Sequence, residues 1–190
     1  MSANSMKKGL FRYYPIVIIN LRKSRNRNVR RINKETVGNL DNERDLEARE
    51  GRLCLIIPVE DDHFAVPIEA VLSVDENPDI CSLPTAPRTV CGLINLRGEI
   101  VPLLDTGYLL GLKPVSIVNY AVTFDTAYGT VALAATGVPF TSKLGEIVGQ
   151  TERQGTKEIF SIEGKGFAVS LDIRTVLSPK GIAEGFSLES

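Results

Sequence analysis

The stretch Gly92–Leu112, GLINLRGEIVPLLDTGYLLGL, decides how this chain is read. Two apolar runs, Val90–Leu96 and Glu99–Leu104, meet at Arg97-Gly98, a tight-turn signal between strands. Ile94, Leu96, Val101 and Leu103 alternate, so they are expected to fill a core on one face and leave the other open to a hydrophobic contact. Gly92 and Gly98 read as backbone requirements, because glycine alone takes positive φ without steric cost. Asn95 suits a side-chain hydrogen bond to the turn. Asp105 ends the second run, where its carboxylate can cap a short helical turn, and Gly111 is placed to end that turn.

Short strands flank this stretch on both sides. Leu53–Val59, the loop Glu60–His63 and Phe64–Ile68 read as a hairpin, followed by the short run Val71–Val74. Downstream, Ile117–Asp125 and Tyr128–Ala135 form a second hairpin, and Glu146–Val148, Glu158–Ile162 and Gly166–Leu171 are further short strands. No long helical periodicity interrupts them. Regularly spaced short strands with turn residues between them predict an all-β barrel or sandwich over residues 53–178.

The chain also echoes itself. IVPLLDTGYLL at Ile100–Leu110 matches FAVSLDIRTVL at Phe167–Leu177, aligning Leu104 with Leu171, Asp105 with Asp172 and Leu110 with Leu177. Asp172 is therefore a second expected N-cap. The upstream hairpins, residues 53–68 and 120–135, correspond as well. Two similar halves follow, each expected to be a small barrel of about five strands, packed side by side with a groove between them. Such a groove suits a partner helix.

Residues 1–52 differ in kind. Residues 1–34 hold ten Lys or Arg and no acid, whereas the rest of the chain holds 12 basic and 23 acidic residues. A segment so charged and so poor in apolar residues is expected to be mostly disordered, as a basic arm followed by a mixed-charge linker. Contact of residues 1–34 with nucleic acid or an anionic membrane is the alternative use of such a run; a solvated tail is the plainer one. Residues 179–190 read as a C-terminal tail. The apolar run near the N-terminus is broken by Arg12, Pro15 and Asn20, short of the ~20 residues that span a bilayer, and shows no cleavage site. Three cysteines (Cys54, Cys81, Cys91) without C-x-x-C spacing read as buried or half-buried thiols in a reducing, cytoplasmic setting.

No catalytic constellation is legible. The lone histidine, His63, lies in the loop Glu60–His63 and reads as a solvated turn residue. There is no Gly-x-Ser-x-Gly elbow, P-loop or strand-led G-x-G-x-x-G. One histidine and dispersed cysteines leave no zinc-ligand spacing, so neither a metal nor a cofactor is expected. The acids Asp105 and Asp172 are accounted for as caps, and an enzyme is not expected.

The run Pro84-x-x-Pro87-x4-Gly92-Leu-Ile-Asn95-Leu96-Arg97-Gly98-Glu-Ile-Val-Pro102-Leu-Leu-Asp105-x5-Gly111-Leu112 closely resembles the signature of the CheW-like domain, over about residues 53–178. The resemblance implies two intertwined five-stranded SH3-like β-barrels with short helical turns. It also implies a non-enzymatic signalling adaptor that couples chemoreceptors to a CheA-type histidine kinase in chemotaxis or related motility. Its partners would be the CheA-like kinase and the cytoplasmic tip of a methyl-accepting chemoreceptor. Partner contacts are then expected at Arg97, Leu96, Asn95, Val74 and Val90. Ser73 stands where family members often carry an acid, and Ala134-Ala-Thr136 where another is common. Arg97 is thus left to pair with Asp75, with Glu69 or with a partner protein.

Overall fold

The structure is a computed structural model that describes residues 51–151 and 155–182, together with the backbone of Ile16 and Val17. The expected disordered arm, with its basic run, otherwise lies outside the described residues, as does most of the tail. The first half runs through β2 (Leu53–Val59), β3 (Asp62–Pro67), β4 (Val71–Glu76), β5 (Ile80–Cys81), β6 (Val90–Leu96), β7 (Glu99–Leu104) and helix α1 (Thr106–Leu109). The second runs through β8 (Tyr120–Thr126), β9 (Gly129–Ala135), β10 (Phe140–Lys143), β11 (Ile147–Thr151), β12 (Thr156–Ile162), β13 (Gly166–Leu171) and helix α2 (Ile173–Val176). A two-residue strand, β1 (Ile16–Val17), adds to the edge of β11.

These strands form two sheets, ordered β1-β11-β12-β13-β3-β2-β10 and β4-β8-β9-β7-β6-β5. Each half lends its first hairpin to the other half's sheet. The β2–β3 hairpin joins β13 through a parallel ladder at Phe64 and Val169, and β8–β9 joins β7 through a parallel ladder at Leu103 and Ala132. The halves are therefore interlocked, not set side by side as the internal echo alone had suggested.

The echo is a repeat of hydrogen-bond register. A shift of 67 positions carries Leu104 to Leu171 and Asp105 to Asp172. The same shift turns the pairs Val74 with Val122 and Glu76 with Tyr120 into Thr141 with Leu55 and Lys143 with Leu53. It also turns the bond from Asn77 N–H to the Asn119 carbonyl into that from Leu144 N–H to the Arg52 carbonyl. In β12 the shift falls to 66, because the β12–β13 turn holds three residues where the β6–β7 turn holds two.

Neither sheet closes into a barrel, so the expected pair of five-stranded SH3-like barrels is corrected to two open sheets of six strands, one extended by β1. Closure requires the edge strands to hydrogen-bond each other with a consistent stagger. Here the backbone at the edges bonds inward. Leu144 N–H goes to Arg52 and Gly145 N–H to Ser161, and β5 is only two residues long. Each sheet instead covers a small core of its own. Phe140, Cys54, Ile56, Ala65, Phe160 and Ile147 meet on one, and Ile94, Val101, Leu103, Ala121, Ala132 and Ala134 on the other. The largest core lies between the sheets, where Leu55, Phe64, Leu104, Phe124, Leu133 and Val169 interdigitate.

Two local readings also change. The first hairpin turns at Glu60-Asp61, so His63 pairs with Pro58 inside β3 instead of standing in a loop. Its ring is half-buried edge-on to Phe140, 6.0 Å between centroids, and burial with the nearby Lys165 lowers its pKa. Cys54 is buried and Cys91 half-buried, but Cys81 is exposed on the edge strand β5.

Candidate functional site

The tip of the β6–β7 hairpin is built by its backbone. Arg97 and Gly98 have φ of +55° and +94°, the pair of positive values that makes a two-residue turn follow the right-handed twist of its strands. Gly98 takes this without cost, whereas an arginine there is strained by about 1–2 kcal/mol. Asn95 Oδ1 accepts from Gly98 N–H at 2.8 Å and closes the turn. Further along β6, Gly92 has φ of +154°, and a Cβ on it would lie 2.6 Å from the Cys81 carbonyl oxygen, so β5 can pair with β6 only over a glycine.

The side chains divide as the alternation predicts. Ile94, Val101 and Leu103 are buried in the small core, and Leu96 packs against it half-buried. On the other face Asn95 pairs with Ile100, which is 60% exposed. Arg97 is exposed, and among the described residues no carboxylate reaches it. Of its two internal candidates, Glu69 is held by Arg52 and Asp75 accepts the Ser73 hydroxyl at 2.6 Å. Asn95, Leu96 and Arg97 thus share one tip. Val74 lies three strands away on the edge strand β4, 41% exposed beside the exposed Leu72. Val90 sits at the far end of β6, half-buried against the central core, and does not join this surface. Ile100 and Leu72 were not singled out from sequence, although the alternation with Val101 and Leu103 already marks Ile100 as outward-facing.

The two caps differ electrostatically. Asp105 accepts from Tyr108 N–H at 2.8 Å and from Val115 N–H, and Gly111, at φ +64°, donates to the Tyr108 carbonyl and ends α1. Burial raises the Asp105 pKa against the pull of those bonds. Asp172 accepts from Thr175 N–H at 3.4 Å and lies 3.3 Å from the Lys157 ammonium. Burial alone would raise it, but Lys157 and the Thr175 bond prevail and its pKa is lowered. The repeat places Cys91 where Lys157 stands in the other half, and burial with the charge of Asp105 pushes that thiol up to about 12.

A pH dependence follows with opposite signs. Asp105 costs stability when ionised, so its contribution improves as pH falls from above its raised pKa toward the ordinary carboxylate value. Asp172 stabilises when ionised, above the ordinary value, and that contribution is lost as pH falls through its lowered pKa. Lys157→Met should cost about 0.5–1 kcal/mol at neutral pH, as expected for a half-exposed pair. Urea unfolding as a function of pH should show the gap closing below about pH 4, around the ordinary aspartate value. A gap that persists at low pH would mean that Lys157 acts through packing.

The profile of the CheW-like domain family matches residues 53–182, and the chain belongs to that family. A chemotaxis protein CheW of Rhizobium meliloti (strain 1021) is 38% identical over 63 residues, 33% of this chain and 41% of that protein. The matched stretch thus spans less than half of that relative's length. The crystal structure of the scaffolding protein TtCheW from Thermoanaerobacter tengcongensis is alike in fold, with a TM-score of 0.58 at 16% identity, covering 69% of this chain and 95% of that one. Among the described residues, no helix is long and apolar enough to cross a membrane, and no three His, Cys, Asp or Glu side chains are grouped to hold a metal ion.

Proposed function

We propose that this chain is a non-enzymatic adaptor that couples chemoreceptors to a CheA-type histidine kinase. Membership of residues 53–182 in the CheW-like domain family carries this reading. The hairpin tip supports it in chemistry: an exposed guanidinium on a strained turn, beside the outward-facing Asn95 and Ile100, with no described ion-pair partner. A planar fork of that kind recognises a carboxylate or backbone carbonyls of a partner. The exposed pair Leu72 and Val74 on edge strand β4 offers a second, apolar contact.

Purified chain is expected to co-sediment with a receptor cytoplasmic fragment and a CheA-like kinase, and to raise the amount of kinase in the pellet. Ile100→Glu should reduce that amount several-fold while leaving the unfolding midpoint unchanged, because Ile100 is mostly exposed. Leu96→Glu is a poorer probe, since Leu96 also packs on the small core and its loss mixes folding with contact. Sedimentation of kinase that is indifferent to the chain would overturn the adaptor reading.

A further inference from the structure

The open sheet that ends at β10 is drawn together across its small core in two different ways. At one end, Gly145 N–H donates to the Ser161 carbonyl and Ser161 N–H to that of Glu146, both at 2.9 Å, and these bonds tie the chain after β10 to β12. At the other end, among the described residues, no backbone bond joins β10 to the β12–β13 turn, Glu163-Gly164-Lys165. Side chains make that contact instead. The Lys165 ammonium lies 3.5 Å above the centre of the Phe140 ring, and His63 meets the same ring at 68° between planes.

The turn has little else to hold it. Lys165 N–H donates to the Ile162 carbonyl at 3.1 Å, within the turn itself. A Cβ on Gly164 or on Gly166 would meet nothing within 4 Å, so the turn packs closely on no neighbour there. The repeat shows that the trio belongs to this sheet alone. Under the 67-position shift, the counterparts of Phe140, His63 and Lys165 are Ser73, Thr130 and Gly98, which offer neither ring nor charge.

His63 is half-buried, and Lys165 is the charge that bears on it. The strands on either side of β3, β2 and β13, carry no charged residue. On β10 the one charge is Lys143, at the strand end paired with Leu53. The acids Glu60, Asp61 and Asp62 of the β2–β3 turn and Glu163 of the β12–β13 turn leave the His63 pKa lowered. We propose that His63, Phe140 and Lys165 form an acid-sensitive latch, which holds the β12–β13 turn against edge strand β10 while His63 is neutral and releases it when His63 is protonated. Protonation puts a second cation beside the ammonium that rests on the Phe140 ring, in a half-buried place where charge is disfavoured. Both costs fall when Lys165 swings into solvent, and a cation–ring contact at an exposed side chain is weak enough to let it go. The sign follows from linkage. With the latch closed the His63 pKa lies below its ordinary 6.5, and with the latch open it returns there, so opening is favoured as pH falls below 6.5.

His63 is the chain's one histidine, so its ring protons titrate as a single NMR signal. The Lys165 ε-methylene protons, assigned by their loss in Lys165→Met, are expected upfield of those of a free lysine, displaced by the ring current of Phe140. More than half of that displacement should be lost as His63 titrates, with the same midpoint, while far-ultraviolet circular dichroism stays constant. In His63→Gln the displacement should persist through the same pH range, and in Lys165→Met the His63 midpoint should move up toward 6.5. Lysine protons at the free position at neutral pH overturn the proposal, as does a displacement that survives the titration of His63. An equal loss in His63→Gln, or a His63 midpoint unmoved in Lys165→Met, overturns it too. So does a loss of circular dichroism with the same midpoint, because the domain and not the turn would then be opening.

Discussion

Replacing Phe64 with alanine is expected to remove about 3–5 kcal/mol of stability, enough to leave a domain of ordinary stability close to unfolding. Phe64 is fully buried in the core between the two sheets, a cluster that draws its residues from both halves. Its strand is also the one by which the first half enters the second half's sheet, in parallel register with Val169. The cavity would therefore open at the joint that interlocks the halves, where neither sheet can collapse alone. The expected result is a urea midpoint that falls sharply at constant slope, with far- and near-ultraviolet circular dichroism changing together. Ile100→Ala, on the exposed face, is the control and should stay within about 0.5 kcal/mol. A loss below about 1 kcal/mol at Phe64, or two separate transitions, would show that the halves do not share one core.

Arg97→Glu is expected to weaken assembly with kinase and receptor by at least about tenfold, while the domain stays folded. A hydrogen bond to a charged group contributes about 1.5–3 kcal/mol, and each 1.4 kcal/mol is a factor of ten in affinity. The structural side of the argument is that the turn does not need the guanidinium. Asn95 Oδ1 and the glycine at position 98 close it, and no described acid holds Arg97. Arg97→Gly should accordingly change stability by less than about 1 kcal/mol, since relief of the strained φ offsets the added freedom of the unfolded chain. Arg97→Lys should fall between wild type and Arg97→Glu, because it keeps the charge and loses the planar fork. If Arg97→Glu unfolds the domain, Arg97 locks the loop internally; if it assembles normally, the partner contact lies elsewhere.

Much of the scaffold is legible in the residues. The alternation of Ile94, Leu96, Val101 and Leu103 names the inward face, and Arg97-Gly98 names the turn. Asp105 and Asp172 announce their caps through position alone, just after a strand and before a short apolar turn. The short edge strands were not legible. β5 has two residues, and β10 reads FTSK, too polar and too short to show a period of two. His63 misled because three acids before it look like a four-residue loop, whereas the backbone turns at Glu60-Asp61 and Asp62 already belongs to β3.

The sequence by itself determined the longer strands, their facing, the two caps and the repeat, because each depends on residues within a few positions or on a pattern copied along the chain. Only the tertiary structure decided which sheet each hairpin joins, that neither sheet closes, and which acids stay away from Arg97. Those outcomes depend on where backbone N–H and C=O groups find partners across distant segments. A register repeat is compatible with halves side by side or interlocked. The choice was made by the parallel ladders at Phe64 and Leu103, and by edge amides such as that of Leu144 bonding inward.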